Sequence, residues 1–226
     1  MAAKKTFSPT QAARILIVDD HPAVREGLAL RIAGQPDLEV CGEAADVVEA
    51  LHLIATTQPD VAIIDLALKT GNGLDLIKRV KARNDSVRML VWSMYNESLY
   101  AERALRAGAM GYINKEHATD QIITAIRCVL EGKVYLSEPM SSKLLGRLVH
   151  GDGAQVGRSP VESLSDRELE AFELMGQGLS TEQIAATMHI SPKTVETYRA
   201  RIKEKLGLSN ITELVHQAAR WVFKNT

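Results

Sequence analysis

Asp19, Asp20, Asp65, Ser93 and Lys115 are the residues of this 226-residue chain whose types and positions could do chemistry together. Each stands at or just beyond the end of an apolar run: 15–18 before the acid pair, 60–64 before Asp65, 87–92 before Ser93 and 110–113 before Lys115. If those runs are strands of one parallel sheet, three carboxylates, a hydroxyl and an ammonium meet at one rim. A lone aspartate at a strand end is ordinarily a turn former or a helix cap, a role open to Asp20. The whole set is harder to explain that way, because two carboxylates about 4 Å apart repel by about 4 kcal/mol at an effective dielectric of 20. A divalent cation relieves that repulsion, and oxygen ligands with room for water and a phosphate suit Mg2+.

The elements that must position these groups alternate along the chain. Val24, Leu28 and Ile32 fall at helical spacing, as do Leu74, Ile77 and Val80. Further helices are predicted over 47–55, 100–107 and 122–130, and a further strand over 38–41. Five strand-helix repeats with continuously apolar strands imply a parallel sheet covered on both faces. Right-handed crossovers then give an α/β doubly wound, five-stranded domain of about 120 residues. Such sheets bind ligands beyond the carboxyl ends of their strands, where the acids, Ser93 and Lys115 stand.

Bulk properties narrow the field. Hydrophobic residues at 46% and charged residues at 24% are those of an ordinary globular protein. A formal net charge of -1 excludes a chain that is basic throughout, so any nucleic-acid surface must be a local patch. No apolar run approaches the roughly 18 residues of a membrane span. The first 13 residues lack the apolar core of a secretory signal and read as a disordered tail. Cys41 and Cys128 lie far apart in apolar runs, which predicts buried free thiols in a reducing compartment, and neither is near a His cluster that would suggest zinc. Gly71 and Gly73 lack the third glycine of a dinucleotide fingerprint and read as a turn, and His21 reads as an exposed residue at a helix start.

The pattern changes after Glu131. Residues 132–136 are extended, 137–149 form a helix, and the glycine-rich stretch 150–160 has no apolar periodicity and reads as a linker. Four helix-start signals follow: Ser165 with Glu168, Ser180 with Gln183, Ser191 before Pro192, and Asn210 with Glu213. They predict a small all-α, four-helix domain whose second and third helices are joined by the turn 188–191 of a helix-turn-helix. On the third helix Val195, Ile202 and Leu206 point inward, while five basic residues against two acidic ones occupy 193–205. The small side chains Thr197 and Ala200 allow close approach to base edges, and flanking cations suit phosphates.

Ile17-Val18-Asp19-Asp20-His21, Asp65-Leu66-Ala67 with Gly73-Leu74, Ser93-Met94, and Gly108-Ala109 through Gly111-Tyr112 to Lys115 resemble the flavodoxin-like receiver domain of two-component response regulators, over about 14–131. The resemblance implies that Asp65 is the phosphoacceptor, that Asp20 ligates Mg2+ directly and Asp19 mainly through water, and that the Ala67 carbonyl completes the protein ligands. It further implies that Lys115 and Ser93 contact the phosphoryl oxygens and that Tyr112 reorients with Ser93. Lys69 stands where many relatives carry proline, which implies a less rigid loop, and Met94 is bulky enough to restrict access to the phosphoryl group.

Leu164-Ser165-Asp166-Arg167-Glu168, Gly178-Leu179-Ser180-Thr181-Glu182-Gln183-Ile184-Ala185 and Ile190 through Lys205-Leu206 resemble the LuxR-type DNA-binding domain, over about 162–225. With the receiver, this is the NarL/FixJ class. The resemblance places Glu196, Thr197 and Ala200 at base edges and Lys193, Thr194, Arg201 and Lys205 nearer phosphates. It makes the last helix, 211–222, a dimerisation helix. Arg199 falls toward the inner side of the wheel, where Glu168 is its expected partner.

The expected domains are therefore a tail over 1–13, a receiver over 14–131, a linker with a short helix over 132–161 and a DNA-binding domain over 162–226. The implied function is a cytoplasmic transcription regulator, not an enzyme, whose partners are a sensor histidine kinase, double-stranded promoter DNA, RNA polymerase and, on phosphorylation, a second copy of itself. Two other readings stand beside it: a pseudo-receiver that only scaffolds constitutive DNA binding, and a phosphoryl shuttle that ignores DNA.

Overall fold

A computed structural model describes residues 12–83, 86–116, 121–150 and 160–225. Most of the expected tail, and most of the glycine-rich stretch 150–160 within the expected linker, lie outside the described residues. The first half contains β1 (Ala13–Val18), α1 (Pro22–Ala33), β2 (Leu38–Ala44), α2 (Val47–Thr57), β3 (Val61–Ile64), α3 (Gly73–Arg83), β4 (Arg88–Ser93), α4 (Glu97–Ala107), β5 (Gly111–Asn114) and α5 (Ile122–Leu130). The sheet is parallel throughout in the order β2-β1-β3-β4-β5. Order reverses beside β1, so the gap between the ends of β1 and β3 is the switch point where ligands bind.

Alternation along the strands separates two apolar layers. Ile15, Ile17, Ile63 and Leu90 pack with Leu28 and Ile32 of α1 and with Ile122, Ile126 and Val129 of α5. Leu16, Val18, Ile64 and Val91 face the other way, onto α2, α3 and α4. β2 runs three residues beyond its expected end because its polar outer residues, such as Glu43, stand on an edge strand where apolar alternation is weak. At α2, the Asp46 carboxylate caps the helix by accepting from Val48 N at 2.8 Å and Glu49 N at 2.9 Å. Asp46→Ala is expected to cost about 1 kcal/mol in urea unfolding, with little change at the acidic rim.

The chain continues through α6 (Glu138–His150), a 3-10 turn (Pro160–Ser163), α7 (Asp166–Gly176), α8 (Thr181–Thr187), α9 (Pro192–Leu206) and α10 (Ile211–Asn225). Ser165 and Ser180 each complete a capping box, and Ser191 caps α9 ahead of Pro192. His189 takes a φ of 53°, the left-handed residue that lets α8 turn into α9. Phe172, Ile184, Val195, Ile202, Leu214 and Ala218 form the small core.

The two halves touch along α7. Asp166, Glu170 and Glu173 recur one turn apart and form an acidic stripe facing α3 and α4. Lys78 Nζ and Arg103 Nη1 meet Asp166 at 2.8 and 2.9 Å. Asn72 Nδ2 donates to Glu170 Oε2 at 2.9 Å, and the Tyr100 hydroxyl donates to Glu173 Oε2 at 2.7 Å. The apolar layer under α4, Met140 of α6 and the core of the helical half belong to one buried cluster.

Candidate functional sites

The expected residues converge at the switch point. Asp19 follows β1, Asp65 follows β3, Ser93 ends β4 and Lys115 follows β5. Asp19 and Asp65 are 2% and 3% exposed and Ser93 is fully buried, so the rim is largely shielded from water. Lys115 Nζ reaches both acids, at 2.5 Å from Asp19 Oδ2 and 2.5 Å from Asp65 Oδ2, and lies 5.4 Å from the centre of the Trp92 ring. Burial raises the Asp65 pKa and outweighs the opposing pull of Lys115 and of the Ser93 hydrogen bond. Burial also works against the Lys115 charge, but Asp65 and Asp19 outweigh it and raise that pKa.

One acid has capacity to spare. Asp20 Oδ1 is buried without a hydrogen-bond partner. His21 Nδ1 lies 2.8 Å away, but not in hydrogen-bonding orientation. Ligand atoms of Asp19, Asp20, His21 and Asp65 all fall within 4.8 Å of one another. An orphaned carboxylate oxygen beside two more acids fits a hard cation. His21, two-thirds exposed, is itself the N-cap of α1, so Asp20 does not cap that helix.

Close packing sets the loop after Asp65. A Cβ on Gly73 would sit 2.2 Å from the Asp65 carbonyl oxygen, so only glycine lets α3 start there. Ala67 N donates to Asp65 Oδ1 at 3.2 Å. Met94 is 56% exposed at the mouth of the rim. Tyr112 is buried, and its hydroxyl donates to the Tyr95 carbonyl at 2.7 Å. Tyr95 N lies 3.5 Å from Ser93 Oγ, and the Tyr95 ring stacks on Tyr100 with centroids 4.7 Å apart. A continuous set of contacts thus leads from Asp65 through Ser93, Tyr95 and Tyr100 to Glu173 of α7. Sequence reasoning did not find Tyr95, Tyr100, Glu170 or Glu173. The spacing of the α7 acids was the available signal.

On α9, Lys193, Glu196, Thr197, Ala200 and Arg201 are exposed, and Thr194 is half-buried beside its cap, Ser191. The expected Arg199–Glu168 pair does not form. Glu168 instead accepts from Lys205 Nζ at 2.6 Å, while Arg199 Nη1 meets Glu196 Oε1 at 2.7 Å and Thr181 Oγ1 at 2.6 Å. Lys205, one helical turn beyond Arg201, reaches back to the start of α7, and Arg199 is held by its own helix and by α8. Burial opposes the Glu168 charge, but Lys205 and the Ser165 amide hold its pKa below the ordinary value. Cys41 and Cys128 are free, as expected, but only half-buried.

Known proteins share both halves. The family model described as the response regulator receiver domain matches residues 15–127, and that of bacterial regulatory proteins of the luxR family matches 162–218. Oxygen regulatory protein NreC of Staphylococcus carnosus is 36% identical over 210 residues, covering 92% of this chain and 97% of that protein. A solved two-component response regulator of the LuxR family from Aurantimonas sp. shares 34% identity and a TM-score of 0.57, over 62% of this chain and 99% of its own. RcsB, solved as two dimers bound to two parallel DNAs, shares 25% identity and a TM-score of 0.56, over 91% of this chain and 97% of its own. A receiver fold with an acidic rim, followed by a LuxR-type helix-turn-helix, defines a DNA-binding response regulator of a two-component system. The chain belongs to the NarL/FixJ class of that family, which regulates transcription and is not a class of enzymes. Among the described residues no helix is long and apolar enough to cross a membrane.

Proposed function

We propose that Asp65 accepts a phosphoryl group from the phosphohistidine of a sensor kinase and that this modification controls promoter binding. The observation that carries this reading is the double contact of Lys115 Nζ with Asp19 and Asp65 beside the orphaned Asp20 oxygen. An Asp65 oxygen attacks phosphorus, the N–P bond breaks, and the histidine nitrogen leaves as imidazole after taking up a proton. Such transfer depends on positioning and charge neutralisation. Asp19, Asp20, Asp65 and the Ala67 carbonyl would hold Mg2+, which when bound supplies positive charge beside the transferred group. Lys115 then exchanges its carboxylate partners for phosphoryl oxygens, Ser93 donates to them, and Tyr112 follows Ser93.

In the DNA-binding half, Glu196, Thr197 and Ala200 face base edges of double-stranded promoter DNA, with Lys193, Thr194, Arg201 and Lys205 toward phosphates. Lys205 reaches a phosphate only by releasing Glu168. The domains run over 14–131 and 162–226, with 132–161 as the joint, a division supported by matches over 15–127 and 162–218. A phosphorylated homodimer engaging RNA polymerase in the cytoplasm completes the reading, and the RcsB dimers on DNA support the paired arrangement. Incubation with acetyl phosphate and Mg2+ is expected to add one phosphoryl mass to wild type and none to Asp65→Asn. A mass gain retained in the variant, or absent from wild type, overturns the assignment.

A further inference from the structure

The fate of Arg199 has a meaning for base reading. Glu196 stands in the second turn of α9, 57% exposed, on the face proposed for DNA. One of its oxygens is clamped twice: Oε1 accepts from Arg199 Nη1 at 2.7 Å and from Thr181 Oγ1 at 3.2 Å. Thr181 is the first residue of α8, and Arg199 Nη1 lies 2.6 Å from the same Thr181 oxygen. The three groups close a ring across the helix-turn-helix. Oε2 takes no part in any hydrogen bond among the described residues.

We propose that Thr181 and Arg199 are positioning residues for sequence recognition, holding Glu196 so that Oε2 accepts from the exocyclic amino group of a cytosine. The inference rests on the DNA-facing role given to Glu196 above. Two physical effects favour the clamp. A free glutamate loses rotamer freedom when it docks on a base, and here that ordering is in place before DNA arrives. A carboxylate brought among phosphates is also repelled by them. Arg199, only 15% exposed and 2.7 Å away, offsets its charge within the protein. The same guanidinium is poorly placed to serve a phosphate itself, since its Nε is buried without a partner.

A structural i,i+3 pair would affect helix stability and leave base preference alone. The full-length chain, treated with acetyl phosphate and Mg2+, can be selected against a randomised double-stranded DNA library. Glu196→Gln first locates the base pair that Glu196 reads, through a changed preference at one position of the half-site. Thr181→Val, which keeps the shape and removes the hydroxyl, is expected to weaken cytosine preference at that same position by at least about fivefold. Thr181→Ser is expected to restore it, and Arg199→Met to weaken it in the same way. The slope of affinity against salt should stay near wild type in Thr181→Val, because no phosphate contact is lost. If Glu196→Gln shifts a position that Thr181→Val leaves untouched, the clamp is overturned and the Glu196 reading stands. If Glu196→Gln shifts none, both fall.

Discussion

Lys115→Met is expected to lower the stability of the receiver by roughly 3 kcal/mol at neutral pH, because it strips the shared cation from two buried acids. Asp19 and Asp65 each lie 2.5 Å from the Lys115 ammonium and are almost inaccessible to water. Methionine fills much of the same volume, so the loss is electrostatic. The pH dependence follows from Asp65, whose pKa is already raised from 3.8 by burial. A carboxyl raised in the folded state favours folding most below its unfolded pKa, and that advantage is lost as pH rises through the folded value. Without Lys115 the rise is larger, so the deficit relative to wild type should shrink on acidification and be greatest above neutrality. A cation bound at a hundred times its dissociation constant would add about 2.7 kcal/mol. Urea unfolding at pH 4.5 and 7.5, with and without Mg2+, tests both points. A variant as stable as wild type at pH 7.5 without Mg2+ would mean that the acids are not held together by Lys115.

The second large effect concerns the grip of the receiver on α7. Burial lifts the Glu173 pKa to about 7, with the Tyr100 hydrogen bond pulling it down, Glu170 pushing it up and Arg103 pulling it down. Detached from the receiver, Glu173 would titrate near 4.5. Docking is therefore favoured most below 4.5, weakens as pH rises and gains nothing from this group above about 7. Between pH 6 and pH 8 the docking constant should fall about tenfold, which is one pKa unit of proton linkage. Glu173→Gln stays neutral and should remove most of that dependence. Tyr100→Phe leaves the acid without its donor and should weaken docking at pH 8 by about 1–3 kcal/mol. Spin-label distances between the two halves, taken in mild denaturant so that both states are populated, measure the constant. Identical pH responses in wild type and Glu173→Gln would defeat the argument.

Much of this was written locally. Apolar runs ending in Asp19, Asp65 and Ser93 carry their own signal, because a strand buried on both faces must be continuously hydrophobic. The helix starts of the second half were equally plain, since a Ser with Glu or Gln three residues on satisfies orphan amides within one turn. Partners distant in sequence were not legible. Arg199 could have paired with any acid near its wheel position, and only the packing of α8 on α9 selects Glu196 over Glu168. Glu170 and Glu173 look like the solvated side of an amphipathic helix until a second surface arrives to cover them. Tyr95 and Tyr100 gave no signal because their roles depend on that same surface.

Among the described residues, the receiver meets the DNA-binding half at α7 and leaves Lys193, Glu196, Thr197, Ala200 and Arg201 of α9 exposed. If two copies bind DNA together, as proposed above, the contact at α7 sets the angle at which their two heads are presented. Control of that kind would act on geometry between copies, and its expected signature is a loss of spacing discrimination with single-site contact preserved.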